Sequence, residues 1–181
     1  PDAARPARLY SGRDALVIGC NDYRKEWSPL SGAVRDAEEV GEVLEGLGFA
    51  VNTLRNPDSQ TLRSAFGDLA GGPGRDPERA IFVFFAGHGH TLTRADGTRL
   101  GYIIPVDAPA PEKDLSGFMS RAMSMREVEE YSTLIGAKHV LMVFDSCFSG
   151  SVFRGRPQTP SRYILEQTER PVRAFIASGD E

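Results

Sequence analysis

Three short runs, Ala15-Leu16-Val17-Ile18-Gly19, Ala80-Ile81-Phe82-Val83-Phe84-Phe85-Ala86 and Val140-Leu141-Met142-Val143-Phe144, lack the polar–apolar alternation of a half-exposed strand. A strand with no polar face has to be covered on both sides, so these runs read as central strands of a buried sheet. The covering helices are legible between them. Ala33, Ala37, Val40, Leu44 and Leu47 recur at steps of three and four, with Glu38, Glu39, Glu42 and Glu45 elsewhere on the wheel and Gly48 as the stop. Phe49 to Leu54 reads as a further strand, and Asp58 as the cap of a helix whose apolar face is Leu62, Ala65, Phe66 and Leu69. After Ala86 we expect a polar loop, then a short extended piece from Gly101 to Pro105. Ser124 and Glu127 have capping-box spacing ahead of a third helix carrying Val128, Tyr131 and Ile135. Lys138–Phe144 and Arg173–Ala177 complete the strands. Such alternation predicts an α/β fold with a mostly parallel central sheet, right-handed crossovers and helices on both faces.

A chain of 181 residues suits one domain. Its 21 basic and 25 acidic residues give a net charge of −4, with no basic block to track a phosphate backbone, so nucleic acid is not expected as a partner. The longest apolar run, Ala80 to Ala86, falls far short of the roughly 20 residues that span a bilayer, and no secretory segment opens the chain. The expectation is a soluble cytoplasmic protein without a membrane partner. Two cysteines, Cys20 and Cys147, are too few for a disulfide scaffold and suit a reducing compartment. Pro1 in place of an initiator methionine reads as a trimmed or processed end.

In a doubly wound sheet the ligand crevice lies beyond the carboxyl ends of the strands. The second apolar run delivers His88 to that edge, and the third delivers Asp145-Ser146-Cys147. A thiol becomes a nucleophile when a nearby imidazole favours the thiolate, and the imidazole can then protonate a leaving amine. Gly89 and Ser149-Gly150 are small enough to let backbone N–H groups approach a developing oxyanion. Taken singly, Cys147 could be an inert buried cysteine and His88 a satisfied loop histidine. His88-Gly89-His90 also has metal-ligand spacing, and with Cys147 or Asp107 it would suit a zinc hydrolase. Gly71-Gly72-Pro73-Gly74 follows a helix and reads as a turn, not a phosphate loop. Cys20 reads as a buried filler and His139 as structural.

Phe84-Phe85-Ala86-Gly87-His88-Gly89 and Phe144-Asp145-Ser146-Cys147-Phe148-Ser149-Gly150 resemble the two signatures of the caspase-like cysteine peptidases, the clan of caspases, metacaspases and paracaspases. The resemblance is greatest to the bacterial metacaspase-like proteases. Leu16-Val17-Ile18-Gly19-Cys20-Asn21, Leu30-Ser31-Gly32-Ala33-Val34-Arg35-Asp36 and Tyr102-Ile103-Ile104-Pro105-Val106-Asp107 agree in the same order. The resemblance implies a three-layer sandwich and peptide hydrolysis through an acyl-enzyme. Cys147 would be the nucleophile, His88 the general acid and base, and the backbone N–H groups of Gly89 and Cys147 the oxyanion donors. It divides the chain into an N-terminal extension (1–13) and a catalytic domain (14–181). The latter comprises a large-subunit-like region (14–150), a mobile linker (151–171) and the start of a small-subunit-like region (172–181).

Because the family fold continues further, a C-terminal small-subunit-like fragment is expected as a partner. Asp36 and Asp145 stand where relatives that cut after arginine or lysine carry pocket carboxylates, and two carboxylates would hold a guanidinium by charge-assisted hydrogen bonds. The substrate expected is therefore a protein or peptide with a basic residue before the scissile bond. For Asp36 the plain alternative is complementation of a helix dipole. Self-cleavage would fall after Arg154 or Arg162, since Arg156 precedes a proline. No cofactor is expected. Ala122-Met123-Ser124-Met125-Arg126 departs from the acidic stretch of calcium-dependent relatives, leaving Asp107 and Asp114 as the acidic residues that could serve calcium activation. The second function class is a catalytically silent scaffold or adaptor that keeps the crevice. Bacterial relatives are often linked to regulated cell death or defence.

Overall fold

The computed structural model describes residues 9–146 and 172–178. Those residues form, in order, β1 (Gly12–Gly19), α1 (Ala33–Gly46), β2 (Ala50–Arg55), α2 (Ser59–Gly71), β3 (Arg79–Ala86), β4 (Gly89–Thr93) and β5 (Arg99–Ile103). There follow α3 (Leu115–Arg121), β6 (Met123–Ser124), α4 (Met125–Leu134), β7 (His139–Asp145) and β8 (Val172–Ala177). The main sheet has five parallel strands in the order β2-β1-β3-β7-β8. The chain thus steps outward from β1 to β2, then returns past β1 to β3, and strand order reverses between β1 and β3. In open α/β sheets that reversal opens a crevice at the carboxyl ends.

The unalternated runs are buried as their composition requires. Ala15, Leu16, Val17 and Ile18 are each 2% exposed or less. Successive side chains point to opposite faces. Leu16 and Ile18 therefore enter the layer that holds Leu62 and Phe66 of α2 and Val128 of α4. Ala15 and Val17 meet Ala33, Ala37 and Leu44 of α1. In β3, Phe85 joins the first layer and Phe84 the second. This is the caspase-like three-layer sandwich anticipated from the sequence.

Local signals act largely as expected. Gly48 closes α1 with φ of 81°, the left-handed conformation that ends a helix most cheaply at glycine. The Asp58 carboxylate accepts from the Thr61 N–H at 2.8 Å. Ser124 Oγ accepts from the Glu127 N–H at 3.1 Å, but Glu127 does not complete the capping box. Its carboxylate is held by both Nε and Nη2 of Arg63, whose guanidinium also reaches the carbonyls of Arg121 and Ala122. A guanidinium is a stronger partner than a backbone N–H.

Two expectations are corrected. The stretch after Ala86 is not a polar loop: β4 and β5 form an antiparallel hairpin joined by β6 into a separate three-stranded sheet. Its turn is closed by Arg94 N–H to Thr98 O and Gly97 N–H to Arg94 O, with Gly97 at φ 79°. Helix α3 was not anticipated. It has seven residues and buries only Phe118, too little to establish a period, and it starts where Asp114 accepts from the Gly117 N–H. Strand β1 begins at Gly12, within the stretch read as an extension. Among the described residues no helix is long and apolar enough to cross a membrane. Cys147, Arg154, Arg162 and the linker lie outside the described residues.

Candidate active site

The site is assembled from the loop after β1 and the carboxyl ends of β3 and β7. Asn56, following β2, adopts φ 51° and donates its N–H to Gly19 O at 2.8 Å. Asparagine tolerates this conformation better than most residues. Its side-chain oxygen accepts from the Asn21 and Asp22 N–H groups at 2.7 and 3.0 Å, and its amide donates to the Asp22 carboxylate. Asn21 in turn accepts from Val34 N–H at the start of α1. Arg24 N–H bonds Val106 O at 2.8 Å, and the Trp27 indole N–H bonds Ala108 O at 3.1 Å. These bonds fold the loop back over the end of β3.

The loop meets His88 at three points. The buried Tyr23 hydroxyl accepts the His88 backbone N–H at 2.7 Å. The Tyr23 and Trp27 rings lie 4.6 and 5.5 Å from the imidazole. His88 Nε2 lies 2.7 Å from the carbonyl oxygen of Ser28. A carbonyl can only accept, so Nε2 carries a hydrogen, and in the neutral ring the lone pair is on Nδ1. Gly87 is required by close approach, since a Cβ there would sit 2.8 Å from Tyr23 Oη and 3.1 Å from Cys20 Cβ. Its N–H donates to Asp145 O, tying the end of β3 to the end of β7.

Gly89 opens the edge strand of the small sheet. Ile104 N–H bonds His88 O, and Gly89 stands opposite Ile103. In an antiparallel ladder bonded and non-bonded pairs alternate, so the Gly89 N–H is directed away from β5.

A cleft of about 370 Å³ is lined by Gly32, Asp36, His88, Gly89, Asp145 and Ser146 among others. Four of the residues singled out in the sequence, Asp36, His88, Gly89 and Asp145, thus border one space. The Asp36 side chain is 41% exposed and lies 3.6 Å from Arg35, which also lies 3.7 Å from Glu39. Exposed pairs of this kind are weak. The Asp145 carboxylate accepts from the Ser178 hydroxyl at 3.1 Å. Ser146 is buried, and its own hydroxyl has no hydrogen-bond partner among the described residues. A smaller cavity of about 260 Å³ beside β1, β2 and α2 contains none of these residues.

The other candidates are engaged elsewhere. Asp107 accepts both the N–H and the hydroxyl of Ser59 and lies 3.6 Å from Arg121. Asp114 caps α3. His90 packs edge-on to Trp27 and Phe118. Among the described residues no group of three or more His, Cys, Asp or Glu side chains is arranged to hold a metal ion. Cys20 is fully buried, and burial pushes its thiol up to about 12 against the opposing hydrogen bond from Tyr23. Burial, followed by the neighbouring Cys20, also raises Tyr23 well above the usual tyrosine range. His139 Nδ1 and the Tyr10 hydroxyl share a hydrogen bond at 2.8 Å, a structural role.

Sequence reasoning missed Tyr23, the Ser28 carbonyl, Asn56 and Ser178. The available signal was Asn, Tyr, Trp and Pro gathered in one strand-to-helix connection, a composition richer than a spacer needs.

The chain matches the family model of the caspase domain over residues 13–177. A search of curated proteins finds no match. Among solved structures, the chain is similar to protein GSU0716 from Geobacter sulfurreducens. They share 21% identity and a TM-score of 0.62, over 78% of this chain and 52% of that one, a likeness of fold. The chain spans about half the length of that structure. A central sheet that carries His88 and the residues leading to Cys147 to one edge accords with the match over 13–177, and the chain belongs to the caspase-domain family.

Proposed function

We propose that the chain is the catalytic region of a cysteine endopeptidase that cuts proteins after basic residues, arginine foremost. The observation that carries this reading is the 2.7 Å contact between His88 Nε2 and Ser28 O, at a cleft shared with Asp36 and Asp145. It leaves Nδ1 as the basic nitrogen. In the proposed reaction Nδ1 takes the proton of the Cys147 thiol, and the thiolate adds to the scissile carbonyl carbon. The Gly89 and Cys147 N–H groups stabilise the resulting oxyanion. Collapse of the tetrahedral intermediate breaks the C–N bond, and His88 gives its proton to the leaving amine. Water, deprotonated by His88, then hydrolyses the thioester and restores the thiol.

Asp36 and Asp145 are the proposed partners of the substrate guanidinium. Arg35 holds Asp36 only loosely, so a substrate arginine can replace it, whereas an acidic side chain would meet two like charges. The same specificity makes the bonds after Arg154 and Arg162 candidates for self-cleavage, and a C-terminal small-subunit-like fragment is proposed to complete the cleft. No resident metal is invoked; Asp107 and Asp114 accept hydrogen bonds from Ser59 and Gly117.

The test is hydrolysis of matched fluorogenic peptides ending in arginine, lysine or aspartate, with chelator present, by the parent supplied with its C-terminal region and by Cys147→Ala, His88→Ala and Asp36→Asn. Arginine cleavage should vanish in Cys147→Ala and fall by about 10²–10⁴-fold in His88→Ala. Asp36→Asn should raise KM for arginine about tenfold. Turnover that survives Cys147→Ala, or a preference for aspartate, overturns the reading. Absence of turnover in the parent would favour the scaffold.

A further inference from the structure

Strand β8 ends beside the catalytic strand, and its last contacts involve a side chain. The parallel register pairs Phe144 with Ala177, and Ser178 N–H extends the ladder to Phe144 O at 3.0 Å. At the next position a hydroxyl takes over. The Ser146 N–H donates to Ser178 Oγ at 2.9 Å. A hydroxyl accepts through its lone pairs and donates its single hydrogen. Two acceptors are in reach of that hydrogen, the Asp145 carboxylate at 3.1 Å and the Ser146 carbonyl at 3.3 Å. The charged oxygen is both nearer and the stronger partner. No other hydrogen bond to the Asp145 carboxylate occurs among the described residues.

We infer that Ser178 is a specificity-determining positioning residue: its hydroxyl fixes the Asp145 carboxylate across the cleft and pins the Ser146 amide one residue before Cys147. The inference rests on the reading of Asp145 as half of the pocket for a basic side chain. Without the hydroxyl, the exposed carboxylate at the end of β7 would sample several rotamers, and each substrate would have to order it on binding. Such ordering weakens binding without changing the chemistry that follows. The same hydroxyl makes one half of the pocket dependent on β8, so a chain in which β8 is undocked should bind arginine poorly even with both carboxylates present.

The test compares Ser178→Ala, Ser178→Thr and Asp145→Asn with the parent, in the protein carrying its C-terminal region. Steady-state kinetics are measured on arginine and lysine peptides, and hydrogen exchange at the Ser146 amide is read by NMR. Ser178→Ala should raise KM for the arginine peptide about tenfold, by a larger factor than it lowers kcat, and should speed Ser146 exchange. Ser178→Thr, which keeps the hydroxyl, should restore both. If Asp145→Asn raises KM but Ser178→Ala does not, the pocket stands and the role of Ser178 is refuted. If Asp145→Asn leaves arginine cleavage unchanged, the pocket reading falls and takes this inference with it.

Discussion

Tyr23→Phe isolates what the loop after β1 does for His88. The substitution keeps the ring, and with it the stacking at 4.6 Å, but removes the oxygen that accepts the His88 N–H at 2.7 Å. Tyr23 is 9% exposed, so water does not readily replace that acceptor. A buried donor left without a partner costs about 1–3 kcal/mol. For a domain of this size each kcal/mol moves the melting temperature by about 2–4 °C, so a cost near 2 kcal/mol lowers it by about 4–8 °C. The effect on turnover has a separate origin. His88 is held by Tyr23 at its backbone and by Ser28 at its ring, and releasing the first lets the second pivot. A displacement of about 1 Å at a reacting group can cost 10²-fold. Thermal unfolding and kcat/KM on an arginine peptide, measured on the same preparation, read the two effects. The expected result is a lower melting temperature together with a fall in kcat at nearly constant KM. A variant that melts within 1 °C of the parent and turns over within about twofold of it refutes the reasoning. A variant that melts lower but turns over normally shows that Tyr23 supports the fold and not the histidine.

The runs Ala15–Gly19 and Ala80–Ala86 were sufficient to specify the core, because a strand with no polar face admits few environments and both neighbouring helices announced their apolar stripes. Placement of His88 and Asp145 at one edge followed from the same argument, since parallel strands deliver their carboxyl ends together. The hairpin of β4 and β5 was missed although Asp96-Gly97 is a strong hairpin signal. Its flanks, Gly89-His90-Thr91-Leu92-Thr93 and Arg99-Leu100-Gly101, are too polar and too glycine-rich to show alternation.

Tyr23, Ser28, Asn56 and Ser178 were illegible for a different reason. Each acts through hydrogen bonds to residues distant in sequence, and the Ser28 bond is accepted by a backbone carbonyl that every residue possesses. Pattern reading finds residues whose chemistry is unusual for their position. It does not find ordinary polar groups whose importance comes from what the fold sets beside them. The capping box shows the converse: Ser124 did as its spacing predicts, while Glu127 was drawn off by Arg63, 64 positions earlier.

Two further outcomes are expected. Cys20 is fully buried and its thiol is pushed up to about 12 by that burial, so iodoacetamide should leave it unmodified in the native protein and label it only after unfolding. Native labelling of Cys20 at the rate of a free thiol would contradict the packing around Tyr23. The last prediction concerns acid sensitivity at His139, where burial first, and then the positive charges of Lys138 and Arg173, hold the imidazole below its ordinary value. Its Nδ1 shares a hydrogen bond with the Tyr10 hydroxyl at 2.8 Å. A histidine whose folded pKa is depressed binds fewer protons when folded than when unfolded, so its contribution is complete above the unfolded value near 6.5 and is lost as pH falls below it. The advantage in melting temperature of the parent over His139→Gln should therefore be constant above pH 7 and shrink progressively toward pH 5. An advantage that grows on acidification would mean that the folded state favours the charged ring, against its burial beside two cations.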